Sequence, residues 1–197
     1  MESRTTELWS VILAAGAGTR MPSIKPLTAI GGRPMIEYAL RLGRASSNRN
    51  CLVVSGAHFE STWRITAEFD CAMVHNPQWA LGMGASIAQG VAALPSSATH
   101  VLILLIDQPL IRVDDLSAVV AASRDQPESI IVSAFGNTAG PPVVFPRRTF
   151  PALKQLTGDQ GAKTVVQQDG HVTRVSLPAA QWDVDDAHAL AHVRSKL

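Results

Sequence analysis

Two glycines, two cations and a set of distant acids carry the chemistry that this sequence can do. The segment Leu13-Ala14-Ala15-Gly16-Ala17-Gly18-Thr19-Arg20-Met21 is followed closely by Lys25. Glycines let backbone N–H groups approach and wrap phosphate oxygens, where a side chain would obstruct contact or forbid positive φ. Arg20 can hold a phosphate through two parallel hydrogen bonds, and Lys25 adds a mobile point charge. The combination reads as a nucleoside triphosphate cradle. Two commoner glycine loops do not fit: after Gly16-Ala17-Gly18 the third glycine of a dinucleotide fingerprint is absent, and no segment has Walker spacing. Pro22 and Pro26 favour an extended loop over an immediate helix. On glycine spacing alone, an ordinary turn with two surface cations is the preferred reading, so the rest of the chain has to decide.

Asp107 ends the apolar run Val101–Ile106, the pattern of a central parallel strand covered on both faces. Ligands in open α/β sheets gather beyond the carboxyl ends of strands, and a carboxylate there could hold Mg²⁺, a hard ion that prefers oxygen. A turn Asp bonded to its own backbone is the competing reading. Near the C-terminus, Trp182-Asp183-Val184-Asp185 precedes a predicted helix, and Asp183, Asp185 and Asp186 are all chemically able to cap it. Between these, Asn76-Pro-Gln-Trp-Ala-Leu-Gly82-Met-Gly-Ala-Ser86 offers a close backbone approach at Gly82, a hydroxyl at Ser86 and an amide at Asn76, groups suited to base or ribose. The alternative is a strand-to-helix connection opened by Asn76-Pro77. Trp79 reads as a packing residue rather than a stacking platform.

The elements that must position these residues alternate. Residues 8–13, 51–54, 71–74, 101–106 and 130–134 read as short buried strands, separated by segments of helical periodicity. That is the βαβ pattern of a mostly parallel sheet. Arg33 to Arg44 places Met35, Ile36, Ala39, Leu40 and Gly43 on one helical face with Pro34 in the first turn, and residues 84–94 and 113–123 give similar crossovers. Gly136 to Pro142 reads as a loop interrupting the alternation, with Val143–Phe145 and His171–Ser176 as further strands. No repeat or low-complexity linker marks a second domain, so residues 1–197 are expected to fold as one α/β unit.

Composition narrows the function classes. With 46% hydrophobic and 17% charged residues over 197 positions, the chain can bury a substantial core and is not a disordered protein. A formal net charge of +1 and the lack of any Lys/Arg-rich run give no reason to expect nucleic acid or an anionic membrane as partner. Met1 to Glu7 lacks the apolar core of a secretion signal, and polar residues interrupt every apolar run before spanning length, so a cytoplasmic location is expected. Cys51 and Cys71 each begin a strand-like segment and read as buried free thiols; without a Cys-x-x-Cys pair, zinc has little support. His188 and His192 have helix-face spacing and read as a solvated face.

Taken in order, the motifs resemble a known family. Leu13-Ala-Ala-Gly-x-Gly-x-Arg-Met with Lys25 and Gly32-Arg-Pro-Met-Ile-Glu37 is similar to the signature of MobA-like nucleotidyltransferases that activate sugars, isoprenoid precursors and molybdopterin. The 76–86 segment, Asp107-Gln-Pro109, Pro141-Pro-Val-Val-Phe145, Leu156-Thr-Gly-Asp-Gln-Gly-Ala162 and Trp182-Asp-Val-Asp185 together resemble molybdenum-cofactor cytidylyltransferases across residues 8–195. The resemblance implies a Rossmann-like three-layer α/β/α fold of the nucleotide-diphospho-sugar transferase type. Residues 1–110 would mainly bind NTP and residues 111–197 mainly the acceptor. It implies transfer of CMP from CTP to molybdopterin with release of pyrophosphate, with Mg²⁺ as cofactor and a molybdoenzyme as recipient. By the same resemblance Arg20, Lys25 and Asp107 are catalytic, and Leu13, Ala14, Ala15, Gly16, Gly18, Arg20, Lys25, Asn76, Gly82 and Ser86 bind nucleotide. Asp107 and Asp185 hold the metal, with Asp183 the weaker choice; Pro142, Gly158, Asp159 and Gly161 meet the acceptor, with Lys163 available to an anion. Leu-Ala-Ala-Gly resembles the cytidine branch, whereas Leu-Ala-Gly-Gly marks the guanosine branch; Ala15 adds a methyl group where glycine leaves room for a purine. GTP as donor, a sugar phosphate as acceptor, and a non-catalytic nucleotide-responsive carrier of the cofactor are the alternatives.

Overall fold

The computed structural model describes residues 6–21 and 23–196. Met1 to Thr5 and Pro22, used above for the leader and loop readings, lie outside the described residues. The first strand, β1 (Leu8–Ala14), is flanked in parallel by β4 (Cys51–Ser55) and β6 (His100–Leu105). β5 (Ala72–His75) pairs outside β4, also in parallel. On the other side β8 (Thr138–Pro146) runs antiparallel between β6 and β7 (Ile130–Phe135), and β9 (Val172–Ser176) closes that edge in parallel with β7. The order β5-β4-β1-β6-β8-β7-β9 is a mostly parallel seven-stranded sheet; β2 (Ala29–Ile30) and β3 (Arg33–Pro34) form a separate small hairpin.

Period-two alternation divides the core between the two faces. In β1, Leu8, Ile12 and Ala14 join one buried cluster with Ile36 and Leu40 of α1 (Met35–Ser46) and Leu116, Val119 and Val120 of α4 (Val113–Asp125). Val11 and Leu13 face the other way, against Ile87 and Val91 of α3 (Met83–Ala92) and Phe150 and Leu153 of α5 (Phe150–Leu153). With α2 (Phe59–Ala67) lying over β4 and β5, and α6 (Lys163–Gln168) and α7 (Ala187–Arg194) completing the set, the fold is the three-layer α/β/α arrangement expected from the sequence. A third cluster of Met21, Ile30, Met35, Val184, Leu190 and Val193 fastens the C-terminal helix beside the segment that follows the glycine loop.

Several expectations are corrected. Residues 138–142 are strand, not loop: β7 and β8 form a hairpin around Gly136-Asn137. Its register jumps from Val132↔Val143 to Ser133↔Gly140, so Pro141 and Pro142 fall in a bulge where no N–H is needed by the ladder. The 71–74 segment is not a buried strand; β5 is an edge and its four residues are half-buried or exposed. Pro34 lies just before α1, capping rather than opening it. Both thiols are free, but only Cys51 is buried and Cys71 is half-buried. His188 is exposed, while His192 stacks on Trp182 with ring centroids 4.4 Å apart instead of lying on a solvated face.

Candidate functional site

A cavity of about 560 Å³ opens beyond the carboxyl ends of β1 and β6. Its walls bring together the loop from Leu13 to Arg20, then Lys25, Trp79, Ala80, Gly82 and Met83 with Ser86, the turn Leu105–Asp107, and three acids from the distal half of the chain, Asp159, Asp183 and Asp185. One cavity therefore draws on both halves of the sequence.

Its charged end is built around Lys25. This residue opens a short 3₁₀ turn, Lys25–Leu27, and its stem packs on Gly18. At Gly18 φ is +62°, and a Cβ would lie 2.7 Å from Lys25 Cβ, so glycine is required there by both backbone and space. Gly16 differs: a Cβ would meet nothing within 4 Å, so Gly16 leaves room on the cavity wall rather than satisfying a strained turn. Lys25 Nζ donates to Asp107 Oδ2 at 2.9 Å and to Asp185 Oδ1 at 2.8 Å. Arg20 donates to the other Asp185 oxygen at 3.1 Å. Lys25 and Asp107 keep only 13% and 17% of their side-chain surface in solvent, against 37% for Asp185 and 74% for Arg20. Burial opposes charge on Lys25, yet Asp107 and Asp185 outweigh it and raise the ammonium's pKa, keeping it protonated. Burial raises Asp107 despite Lys25, whereas the Lys25 hydrogen bond holds Asp185 below the usual carboxylate range.

The two carboxylates meet through the backbone as well. Val184 is fully buried, and its N–H donates to the Asp107 carbonyl at 2.8 Å, leaving Asp183 and Asp185 on either side facing the cavity. Asp186 is the residue that caps α7, accepting from Ala189 N at 2.8 Å, so Asp185 is not committed to capping. Gln108, buried beside Asp107, donates to the carbonyls of Pro141 and Ala180 and ties β8 to the turn preceding these acids. Nothing in its residue type pointed to that part.

A pair of carboxylates suits a divalent ion. Asp107 Oδ1 is buried with no hydrogen-bond partner, and the ammonium already bridging Asp107 and Asp185 shows that a cation fits between them. Among the described residues no group of three or more His, Cys, Asp or Glu side chains converges. This donor set fits an ion such as Mg²⁺, which uses one or two carboxylates and fills its remaining positions with water and phosphate.

The opposite end is less charged. Trp79 is half-buried, lining the cavity while packing over Gly56, so the packing assignment is only part of its placement. Ser86 is on the wall, but Asn76 is not. The Asn76 amide is buried, donating to Ser86 Oγ at 3.1 Å and accepting from Gln78 N at 3.0 Å. It positions the Ser86 hydroxyl, whose proton stays available to the cavity, instead of being free for a ligand. Gly82, at φ +104° and ψ −178°, is pressed by the 157–161 segment: a Cβ there would lie 2.4 Å from Asp159 Oδ1 and 2.5 Å from the Gly158 carbonyl carbon. Gly84 N also donates to Gly158 O at 2.8 Å.

The residues expected at an acceptor site therefore separate. Asp159 lines the cavity and Gly158 braces Gly82, whereas Gly161 packs near Met83 and Ile87, and Pro142 is buried in β8 with its carbonyl taken by Ser133. Lys163 is exposed at the start of α6. Pro142 and Gly161 are both buried and neither lines this cavity.

Known proteins resemble this chain in sequence and in fold. Residues 10–173 match the family model described as MobA-like NTP transferase domain. Purine catabolism protein PucB of Bacillus subtilis is 34% identical over 177 residues, covering 83% of this chain and 82% of that protein. Nicotine blue oxidoreductase of Paenarthrobacter nicotinovorans is 29% identical, covering 80% of each. The crystal structure of Rv0371c from Mycobacterium tuberculosis H37Rv in complex with manganese superposes with a TM-score of 0.81 at 21% identity, covering 98% of this chain and all of that one. With the signature loop, the cavity and the family match in agreement, this chain belongs to the MobA-like NTP transferase family and is a nucleotidyltransferase.

Proposed function

We propose that the protein transfers CMP from CTP to molybdopterin, releasing pyrophosphate, in the cytoplasm and with Mg²⁺ as its ion. The observation that carries the reading is the junction of Arg20, Lys25, Asp107 and Asp185 beside the glycine loop. Two cations and four carboxylates line the cavity, so an anionic triphosphate needs a divalent cation to enter it. Asp107 and Asp185 would hold Mg²⁺, which would supply Lewis-acid neutralisation of phosphate oxygens.

The chain's own residues do the rest. The loop from Leu13 to Gly18 receives the nucleotide, and Ala15 narrows the wall where a purine would need more room. Ser86 and Asp159 present a hydroxyl and a carboxylate to the nucleoside, and Trp79 supplies an apolar surface. An oxygen of the acceptor phosphate forms a bond to the α-phosphorus while the α–β bridging bond breaks and its electron pair leaves with pyrophosphate. A phosphate oxygen is already a competent nucleophile, so the chain needs no covalent intermediate or general base. Arg20 and Lys25 offset the charge that develops on the leaving pyrophosphate, and orientation supplies most of the remaining rate. Residues 1–110 furnish most of the nucleotide wall, and the distal half contributes Asp159, Asp183 and Asp185.

The test is pyrophosphate release and product mass with purified protein, Mg²⁺, CTP or GTP, and molybdopterin. A cytosine dinucleotide product is expected. Formation of product only with GTP overturns the choice of base, product only with a sugar phosphate overturns the acceptor, and nucleotide binding without turnover on verified acceptor overturns catalysis.

A further inference from the structure

Both site cations are already spent on the carboxylates. Lys25 uses two of its three N–H bonds on Asp107 and Asp185 at 2.9 and 2.8 Å, and Arg20 takes the other Asp185 oxygen at 3.1 Å. The Lys25 ammonium stands between Asp107 Oδ2 and Asp185 Oδ1, so a divalent ion held between the two carboxylates on that side would compete with it for volume and charge. Arg20 and Lys25 are also the only cations on the wall of the cavity among the described residues. A triphosphate that recruits them uncovers Asp107 and Asp185 together, which then require a replacement cation.

The loop gives that exchange a mechanical route. Gly18 lies on the turn that lines the cavity and leaves space only for hydrogen against the Lys25 stem. A shift of the turn on nucleotide entry is thus passed directly to Lys25. We propose that Lys25 is a placeholder cation: it fills the divalent-ion position of the nucleotide-free protein, so that the site excludes the free ion and takes it together with the nucleotide. This rests on the nucleotidyl-transfer reading but concerns the order in which the ligands enter.

The experiment is Mn²⁺ binding to the nucleotide-free protein, followed by electron paramagnetic resonance of the free ion at neutral pH. Lys25→Met is expected to bind Mn²⁺ at least tenfold more tightly than the wild type. Lys25→Gln, which keeps a polar neutral group in case the apolar variant does not fold, should show the same gain. Adding Asp185→Asn to either variant should remove it. Equal Mn²⁺ affinity in the wild type and the Lys25 variants overturns the proposal, as does a gain that survives Asp185→Asn. The outcome is separate from that of the transfer assay: normal turnover with equal Mn²⁺ affinity sinks the placeholder alone. A clear gain on Lys25 substitution with no turnover on any acceptor sinks the transfer reading while the cation exchange stands.

Discussion

Substituting Gly82→Ala tests whether the 157–161 segment is truly seated on the cavity rim. The residue has φ +104° and ψ −178°, a region that is essentially glycine's own, and occupying it with alanine costs about 1–3 kcal/mol. The added methyl also meets Asp159 Oδ1 at 2.4 Å and the Gly158 carbonyl carbon and oxygen at 2.5 and 2.6 Å. The Asp159 side chain can swing away, but backbone at that distance cannot, so overpacking adds about 1–3 kcal/mol more. For a chain of this size each kcal/mol moves Tm by about 2–4 °C, so a total of about 2–6 kcal/mol puts the expected fall at about 4–24 °C.

Gly16→Ala is the control. Its methyl enters open space and its backbone is unstrained, so Tm should stay within about 2 °C of wild type, the range of a neutral surface change. Nucleotide affinity should nevertheless fall, because Gly16 is on the cavity wall. Differential scanning calorimetry and titration of CTP into each variant read the two effects separately. The packing argument is refuted if Gly82→Ala melts with the wild type, or if Gly16→Ala is the less stable of the two.

Asp107→Asn should preserve the fold and cut turnover by about a hundredfold or more, the scale of losing one electrostatic stabiliser; activity near wild type across an Mg²⁺ titration counts decisively against its assigned part. Asp186→Ala removes the α7 cap and should cost about 1 kcal/mol in chemical denaturation, with the expected sensitivity at 186 rather than 183. Asp169 accepts from Arg148 at 2.6 and 2.9 Å and from His171 N, and the Arg148 bond holds its carboxyl below the usual carboxylate range. A lowered carboxyl pKa contributes stability that is present above the unfolded value and lost as pH falls through the folded value. Asp169→Asn should therefore lose stability at neutral pH and show less further loss on acidification below about pH 4 than the wild type. Parallel melts across that range decide it.

What could be read in the sequence was what local pattern controls. The apolar run 101–106 dictates a central strand, and its last position dictates where Asp107 must project, because strand ends in a parallel sheet open onto the ligand crevice. Asn76 was not legible for the opposite reason: its residue type permits ligand contact or structural bonding equally, and only the structure shows its amide bonded to Ser86 and Gln78. The two prolines and neighbouring glycines at 136–142 look like loop punctuation, since the bulge that absorbs them is created by the partner strand β7. Gly158 and Asp159 are expected at the acceptor through the resemblance alone, and distance in sequence conceals the contact that both make with Gly82.

The same distinction bears on why Asp107 and Asp185 remain together when their cation changes. Their proximity does not depend on Lys25 alone. The Val184 N–H bond to the Asp107 carbonyl, the burial of Val184 among Met21, Met35 and Leu190, and the cap supplied by Asp186 all fix the acidic segment through groups that carry no charge in the cavity. Two carboxylates held close by uncharged scaffolding repel one another unless a cation offsets their charge. The scaffold thereby favours a cation at this position without specifying which one. Lysine and a divalent ion can exchange there with little movement of the carboxylates, and that preorganisation is what lets a site dominated by acids accept the most anionic part of a nucleotide.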